Sequence, residues 1–239
     1  MVRGILVALF HLVSVPLYSL VAIAGDVLFP GREWIPRVGA AWSRHTLRLA
    51  GVRVEVEGAG ILAENRPAVL AANHTSAMDI YAVCSSVPVP YRMVAKAELF
   101  RIPLFGRALL RAGFVPLQRR PSRRDLRAIE RVRADLRRGA IVCFFPEGTR
   151  SPDGRLRPFK TGAFVLAIRE QIPVIPVAIE GACRVQRRGS LRIRPGTIRF
   201  RVLPPLPTAG RDLDERRDLA RECHDRIAAA LPPDQRPAG

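Results

Sequence analysis

His74 and Asp79 are separated by four residues in the stretch NHTSAMDI, which directly follows the apolar run PAVLAA. Histidine is the side chain suited to taking up a proton near neutral pH. An aspartate accepting the Nδ1 hydrogen fixes the tautomer and leaves Nε2 free as a base. Such a base can deprotonate a hydroxyl that attacks an activated carbonyl. The spacing restricts how the two groups can meet. On one continuous helix, five positions set side chains about 140° apart. The pairing therefore requires His74 in a loop and Asp79 in a helix that follows, with Thr75 or Ser76 as the cap. Taken alone, the pair is equally readable as a capping or structural histidine at a strand end.

Three other stretches carry polar groups in suggestive positions. FFPEGTRS, residues 144 to 151, follows an apolar strand; Pro146 and Gly148 impose a tight turn, and Glu147 and Arg150 project from it. An arginine there offers a forked donor for phosphate, and free N–H groups of the turn, with Thr149 beside them, can add to it. The alternative is a β-turn with a local ion pair. In KAELFRIPLFGRALLRAGFVPLQRR, residues 96 to 120, Lys96 and Arg119 bracket an amphipathic, Phe-rich segment. Basic ends around an apolar middle suit a ligand with a charged head and a greasy body, and also suit an ordinary surface helix. VIPVAIEG, residues 174 to 181, reads most simply as a buried strand.

The elements that must hold these groups alternate. VRVEVEG, AVLAAN, YRMVAK, AIVCFF, PVIPVAI and TIRFRVL are rich in β-branched or aromatic residues and read as strands, with a short one at FVPL. Between them, Leu126, Ile129, Val132 and Leu136 recur at helical spacing after Ser122 and before Gly139; KTGAFVLAIREQ reads as a helix, and a last helix over about 213–231 puts Leu219, Cys223 and Ile227 on one face. The pattern predicts a single α/β domain over residues 51–232, with a mixed, largely buried sheet covered by helices. Residues 233–239, PPDQRPAG with its preceding proline, read as a disordered tail.

Residues 1–50 differ in texture. ILVALFHLVSVPLYSLVAIAGDVLF is apolar for about the length that spans a bilayer. Arg32, Arg37, Arg44 and Arg48 follow it and would hold the downstream side in the cytoplasm. It reads as a membrane anchor, either spanning with a kink at Pro16 or lying in one leaflet. A cleaved signal peptide ending at AIA, residues 22 to 24, is the competing reading. The helix after it carries Trp34 and Trp42 among arginines, which suits a headgroup interface.

Composition narrows the partners. The net charge is +18, and only Lys96 and Lys160 among its 39 basic residues are lysines. Such a balance points to an anionic surface, a phosphorylated substrate or nucleic acid. Nucleic-acid binding wants aromatics interleaved with the arginines, yet aromatics are 6% of the chain and concentrate in apolar segments. No GxSxG accompanies Ser76, which argues against a serine hydrolase. The four cysteines are far apart, so neither a zinc site nor a redox pair is expected.

Together, NHTSAMD, ELFRIPLFG through GFVPLQR, FPEGTRS and VIPVAIEG resemble, in order, the motifs of the 1-acyl-glycerol-3-phosphate acyltransferase family of glycerolipid synthesis, over about residues 60 to 182. The resemblance implies transfer of a fatty acyl group from acyl-CoA or acyl-carrier protein to the free hydroxyl of a lysophospholipid, at the cytoplasmic face of the inner membrane. It implies His74 as general base and Asp79 as its orienting partner, with no acyl-enzyme. Lys96, Arg119 and the Glu147, Gly148, Thr149, Arg150 stretch would bind substrate, and no metal or cofactor beyond the thioester co-substrate is implied. Two positions depart from the family's pattern: Ala97 stands where many members have a second lysine, and LQR, Leu117 to Arg119, where many have IDR. Both bear on the acceptor headgroup, making a lyso-ornithine lipid a rival to lysophosphatidate.

Overall fold

The computed structural model describes residues 2–29, 34–117 and 131–237. In chain order these form α1 (Val2–Leu28), α2 (Trp34–Ala50), β1 (Val52–Glu57), α3 (Gly60–Glu64), β2 (Ala68–Ala72), α4 (Met78–Ser86), β3 (Tyr91–Lys96), a 3-10 turn (Ala97–Arg101), α5 (Phe105–Arg111) and β4 (Val115–Leu117). After them come α6 (131–137), β5 (Ile141–Phe144), α7 (Gly162–Arg169), β6 (Val174–Glu180), α8 (Ala182–Val185), β7 (Gly196–Val202) and α9 (Arg216–Ala230). The expected elements at Ser122, Leu126 and Ile129 lie outside the described residues.

The strands make one mixed sheet of seven, ordered β1-β7-β6-β2-β5-β3-β4. β6, β2, β5, β3 and β4 all run parallel, while β7 turns antiparallel to β6 and β1 follows β7 in parallel. The central strand β2, AVLAA, is buried at every position. That is the consequence of helices on both faces, since a strand covered on both sides reads as a continuous apolar run. Leu70, Ala72, Cys143, Ile175 and Phe200 face the layer that contains α2 and α4. Val69, Ala71, Val142 and Val174 face the layer of α6, α7 and α9, where Leu136, Phe164 and Leu219 complete the core. Pro176, inside β6, lacks a donor for its neighbour. The partner chain accommodates this, because Val177 pairs with Val202 but Val174 bridges Leu206, so one extra residue bulges at 203–205 opposite the proline.

Helix α1 runs antiparallel along α2 rather than away from it. Gly25 abuts the Trp34 indole, Ser14 accepts a 3.0 Å bond from Trp42 Nε1, and Thr46 Oγ1 and the Tyr81 hydroxyl lie 3.2 and 3.3 Å from His11 Nε2. Its packed face is small, with Gly4, Val7, Ser14, Ser19, Ala22 and Gly25 buried. Its opposite face is exposed and apolar, including Ile5, Leu9, Leu12, Val13, Leu20 and Leu28.

The C-terminal segment corrects one expectation. Residues 233–237 are not a loose tail: Gln235 is buried, its carbonyl accepts from Leu156 N at 2.8 Å, and Asp234 pairs with Arg184 at 2.8 Å. Polar composition suggested disorder because it cannot show that a glutamine will find partners across the chain.

Candidate active site

The five parallel strands place their C-terminal ends along one edge, where open α/β sheets keep their sites. His74 leaves β2 there, residues 145–150 leave β5, and Lys96 ends β3. Asn73, the first residue past β2, anchors this exit: its amide donates to Ile179 O at 2.9 Å and accepts from Ile179 N at 2.7 Å, tying the β2 exit to β6.

His74 and Asp79 meet as the spacing requires, with the histidine in the loop and the aspartate in the first turn of α4. His74 Nδ1 donates to Asp79 Oδ2 at 2.9 Å. The same oxygen accepts from Thr75 N at 2.6 Å and Ser76 N at 2.8 Å. The carboxylate thus fixes both the ring and the loop that carries it. The expected cap takes a different form. The residue before α4 is Ala77 with no side-chain cap; Ser76 Oγ accepts from Met78 N at 3.2 Å, and the Thr75 hydroxyl makes no bond among the described residues. Asp79 has claimed the loop amides, so the loop wraps around the carboxylate instead of presenting a hydroxyl to the helix.

The ring of Phe145 stacks on the His74 imidazole, with centroids 4.1 Å apart and planes 19° from parallel. One face of the imidazole is therefore covered, and the side chain retains 13% exposure.

Glu147 does not pair with Arg150. Its Oε1 accepts the His74 backbone N–H at 2.7 Å, and Ser151 N donates back to His74 O at 2.8 Å. These two bonds zip the β2 and β5 exits together. Glu147 is nearly fully buried, and burial, helped by the nearby Asp79 charge, pushes its pKa up to about 8. Burial thus favours its neutral form far above the usual carboxylate range. Gly148 adopts φ +73, and a Cβ there would sit 2.8 Å from Lys160 Nζ, so that ammonium lies over the turn.

The remaining residues singled out by sequence make no hydrogen bond or ion pair to His74, Asp79 or Glu147 among the described residues. Lys96 is exposed at the end of β3, and Arg150 is part-buried, with its carbonyl accepting from Arg188 Nη1 at 2.9 Å. Thr149 follows Gly148 in the turn; Arg119 lies outside the described residues. Sequence reasoning gave no role to Asn73, Phe145 or Lys160, and left Ser151 between bonding the turn and bonding substrate. A polar residue ending an all-apolar strand, as Asn73 does, was the available signal; nothing local indicates that Phe145 covers a ring 71 positions away.

A model of the acyltransferase family matches residues 53–180, a span that contains His74, Asp79, Lys96 and Glu147. The chain is 37% identical over 166 residues to the chloroplastic 1-acyl-sn-glycerol-3-phosphate acyltransferase BAT2 of Brassica napus, covering 69% of this chain and 46% of that one. It is 32% identical over 192 residues to a 1-acyl-sn-glycerol-3-phosphate acyltransferase of Limnanthes alba, covering 80% and 68%. The match thus spans about half the length of the Brassica relative. Among solved structures, the 1-acyl-sn-glycerophosphate acyltransferase PlsC of Thermotoga maritima superposes with a TM-score of 0.78 at 25% identity, covering 92% of this chain and 91% of that one. With a family match over more than half of the sequence, and with the strand exits of that match converging on one edge, the chain belongs to the acyltransferase family.

Proposed function

We propose that the protein transfers a fatty acyl group from an acyl-CoA or acyl-carrier-protein thioester to the free hydroxyl of 1-acyl-glycerol-3-phosphate, giving phosphatidic acid for phospholipid synthesis. The observation that carries this reading is the hold of Asp79 on Nδ1 of His74, which leaves Nε2 as the only ring nitrogen able to accept a proton. His74 takes the hydroxyl proton as the acceptor oxygen attacks the thioester carbonyl. The tetrahedral oxyanion collapses with cleavage of the carbon–sulfur bond, and the thiolate leaves with the proton returned by the imidazolium. Asp79 stabilises that imidazolium. Neutral Glu147 acts through the backbone, holding His74 N–H and hence the position of the loop. Arg150, Arg119 and Lys96 supply cations for the acceptor phosphate, Gly148 and Thr149 supply the turn beside it, and Lys160 adds its ammonium over Gly148. The thioester is itself activated, so the reading invokes no metal or other cofactor.

The acceptor and product are lipids, and α1 supports a site at the membrane surface; the arginines that follow α1 favour the cytoplasmic face. Both ends of α1 lie against the domain, at Leu191 near its start and Trp34 near its end, and α2 beneath it exposes Arg37, Arg44 and Arg48. A helix so attached along its whole length lies in one leaflet, its apolar face in lipid, because crossing would draw those arginines into hydrocarbon.

The test is acyl transfer by detergent-solubilised protein given oleoyl-CoA with lysophosphatidate or with lyso-ornithine lipid. Product from lysophosphatidate is expected, with kcat lowered about 10²- to 10⁴-fold in His74→Ala. Full activity in that variant would sink the assignment of the base, and preference for the ornithine lipid would move the acceptor while keeping the chemistry.

A further inference from the structure

The loop between α8 and β7, residues 186–195, is touched by both halves of the candidate site and by α1. Ser76 Oγ donates to Gln186 O at 2.7 Å, and Arg188 reaches the Arg150 carbonyl. On its other side, Gly4 of α1 packs directly on the Leu191 carbonyl, and a Cβ on Gly51 would meet Arg3 Nη1 at 2.8 Å and Pro195 at 3.3 Å. The loop is built rather than slack. Gly189 turns at φ +76, Ser190 N donates to Arg187 O at 3.1 Å, Gln186 Nε2 donates to Ser190 O at 2.9 Å, and Arg192 N donates to Ser190 Oγ at 3.0 Å.

This turn separates two apolar side chains. Ile193 goes into the core, whereas Leu191 stands 68% exposed. A lone exposed leucine needs no explanation, but Leu191 adjoins the end of α1 where Val2 and Ile5 are exposed too. Around it the sequence QRRGSLRIRP carries Arg187, Arg188, Arg192 and Arg194, all exposed, and no carboxylate. An apolar tip ringed by arginines matches the chemistry of an anionic headgroup layer, where each cation near the surface is attracted independently.

We propose that residues 186–195 form a second lipid contact, in which Leu191 enters the headgroup layer beside α1 and these four arginines meet the phosphates of anionic phospholipids. It rests on the reading of α1 as lying in one leaflet. The contact would seat the Arg150 turn at the surface from which a lipid acceptor arrives.

The test uses full-length protein, co-sedimented with phosphatidylcholine vesicles and with vesicles that also contain phosphatidylglycerol. Arg187→Gln combined with Arg192→Gln leaves Arg188 and the Arg150 turn untouched. Each arginine removed is worth about fivefold in affinity for an anionic surface. The pair is therefore expected to weaken binding to the mixed vesicles roughly thirtyfold, while binding to phosphatidylcholine alone is unchanged. In Leu191→Trp, brominated lipid is expected to quench emission beyond the quenching of wild-type protein. Wild-type affinity for the mixed vesicles in the double variant, or no added quenching at 191, overturns the proposal. Loss of acyl-carrier-protein binding in the double variant with vesicle binding intact would reassign the loop to protein docking and also overturn it. A wild-type protein that binds neither vesicle would instead refute the placement of α1, on which the proposal stands.

Discussion

Glu147 carries more of the site's pH response than its place in a turn suggests. Its carboxyl ordinarily loses its proton near 4.5 but holds it in the fold up to about 8. Between those values the unfolded chain releases a proton that the folded chain keeps, so stability falls as pH rises, by at most about 1.4 kcal/mol per pH unit. Glu147→Gln retains an acceptor for His74 N–H and has no proton to lose. Thermal melts across this window are expected to show a flatter pH dependence than wild type, with the variant gaining most near pH 8. Equal slopes in the two proteins would contradict the neutral, buried state of Glu147. At this scale the spacing of His74 and Asp79 said only how they could meet, and the order of the four motifs, more than the pair itself, singled them out. The sequence did not reveal that Glu147 serves His74 rather than Arg150, because that bond joins loops 73 residues apart.

Among the polar contacts between elements, one ion pair is buried. Arg92 of β3 donates to Asp135 of α6 at 3.1 Å, with both side chains nearly inaccessible. Gly113, at φ +77, leaves the space: a Cβ there would come within 2.6 Å of Arg92 Nε. Removing Asp135 strands the buried Arg92 charge, so Asp135→Ala should cost about 3–5 kcal/mol. Urea unfolding would read this as a lower midpoint, and an unchanged midpoint would mean that water or another group satisfies Arg92. The strands were legible because β-branched runs such as VIPVAI declare themselves locally, and Val132 and Leu136 gave the buried side of α6 by spacing. A mixed sheet was expected, but that β7 is the reversed strand was not legible. TIRFRVL looks the same whichever way it runs, and direction is settled only by the connection that returns it to β6.

At the scale of the whole molecule, the described segments near both termini pack on the domain. The last described residues brace the loop after the Glu147 turn, through Gln235 to Leu156 and Arg236 O to Arg155 Nη1 at 3.3 Å. Ending the chain at Leu231 removes a buried side chain and leaves the Leu156 and Gly181 amides without their Gln235 acceptors, at about 1–3 kcal/mol for each group left unsatisfied. A lower melting temperature is expected, with faster hydrogen exchange at Leu156; unchanged exchange there would show the brace to be idle. The opposite end has a geometric consequence. Twenty-seven residues of helix make a rod about 40 Å long, and with α1 lying in one leaflet as proposed, that rod adds area to one side of the bilayer only. Such a one-sided wedge relieves packing defects where the membrane bends outward. Small, strongly curved vesicles should therefore recruit more of the protein than large, flat ones of identical lipid composition.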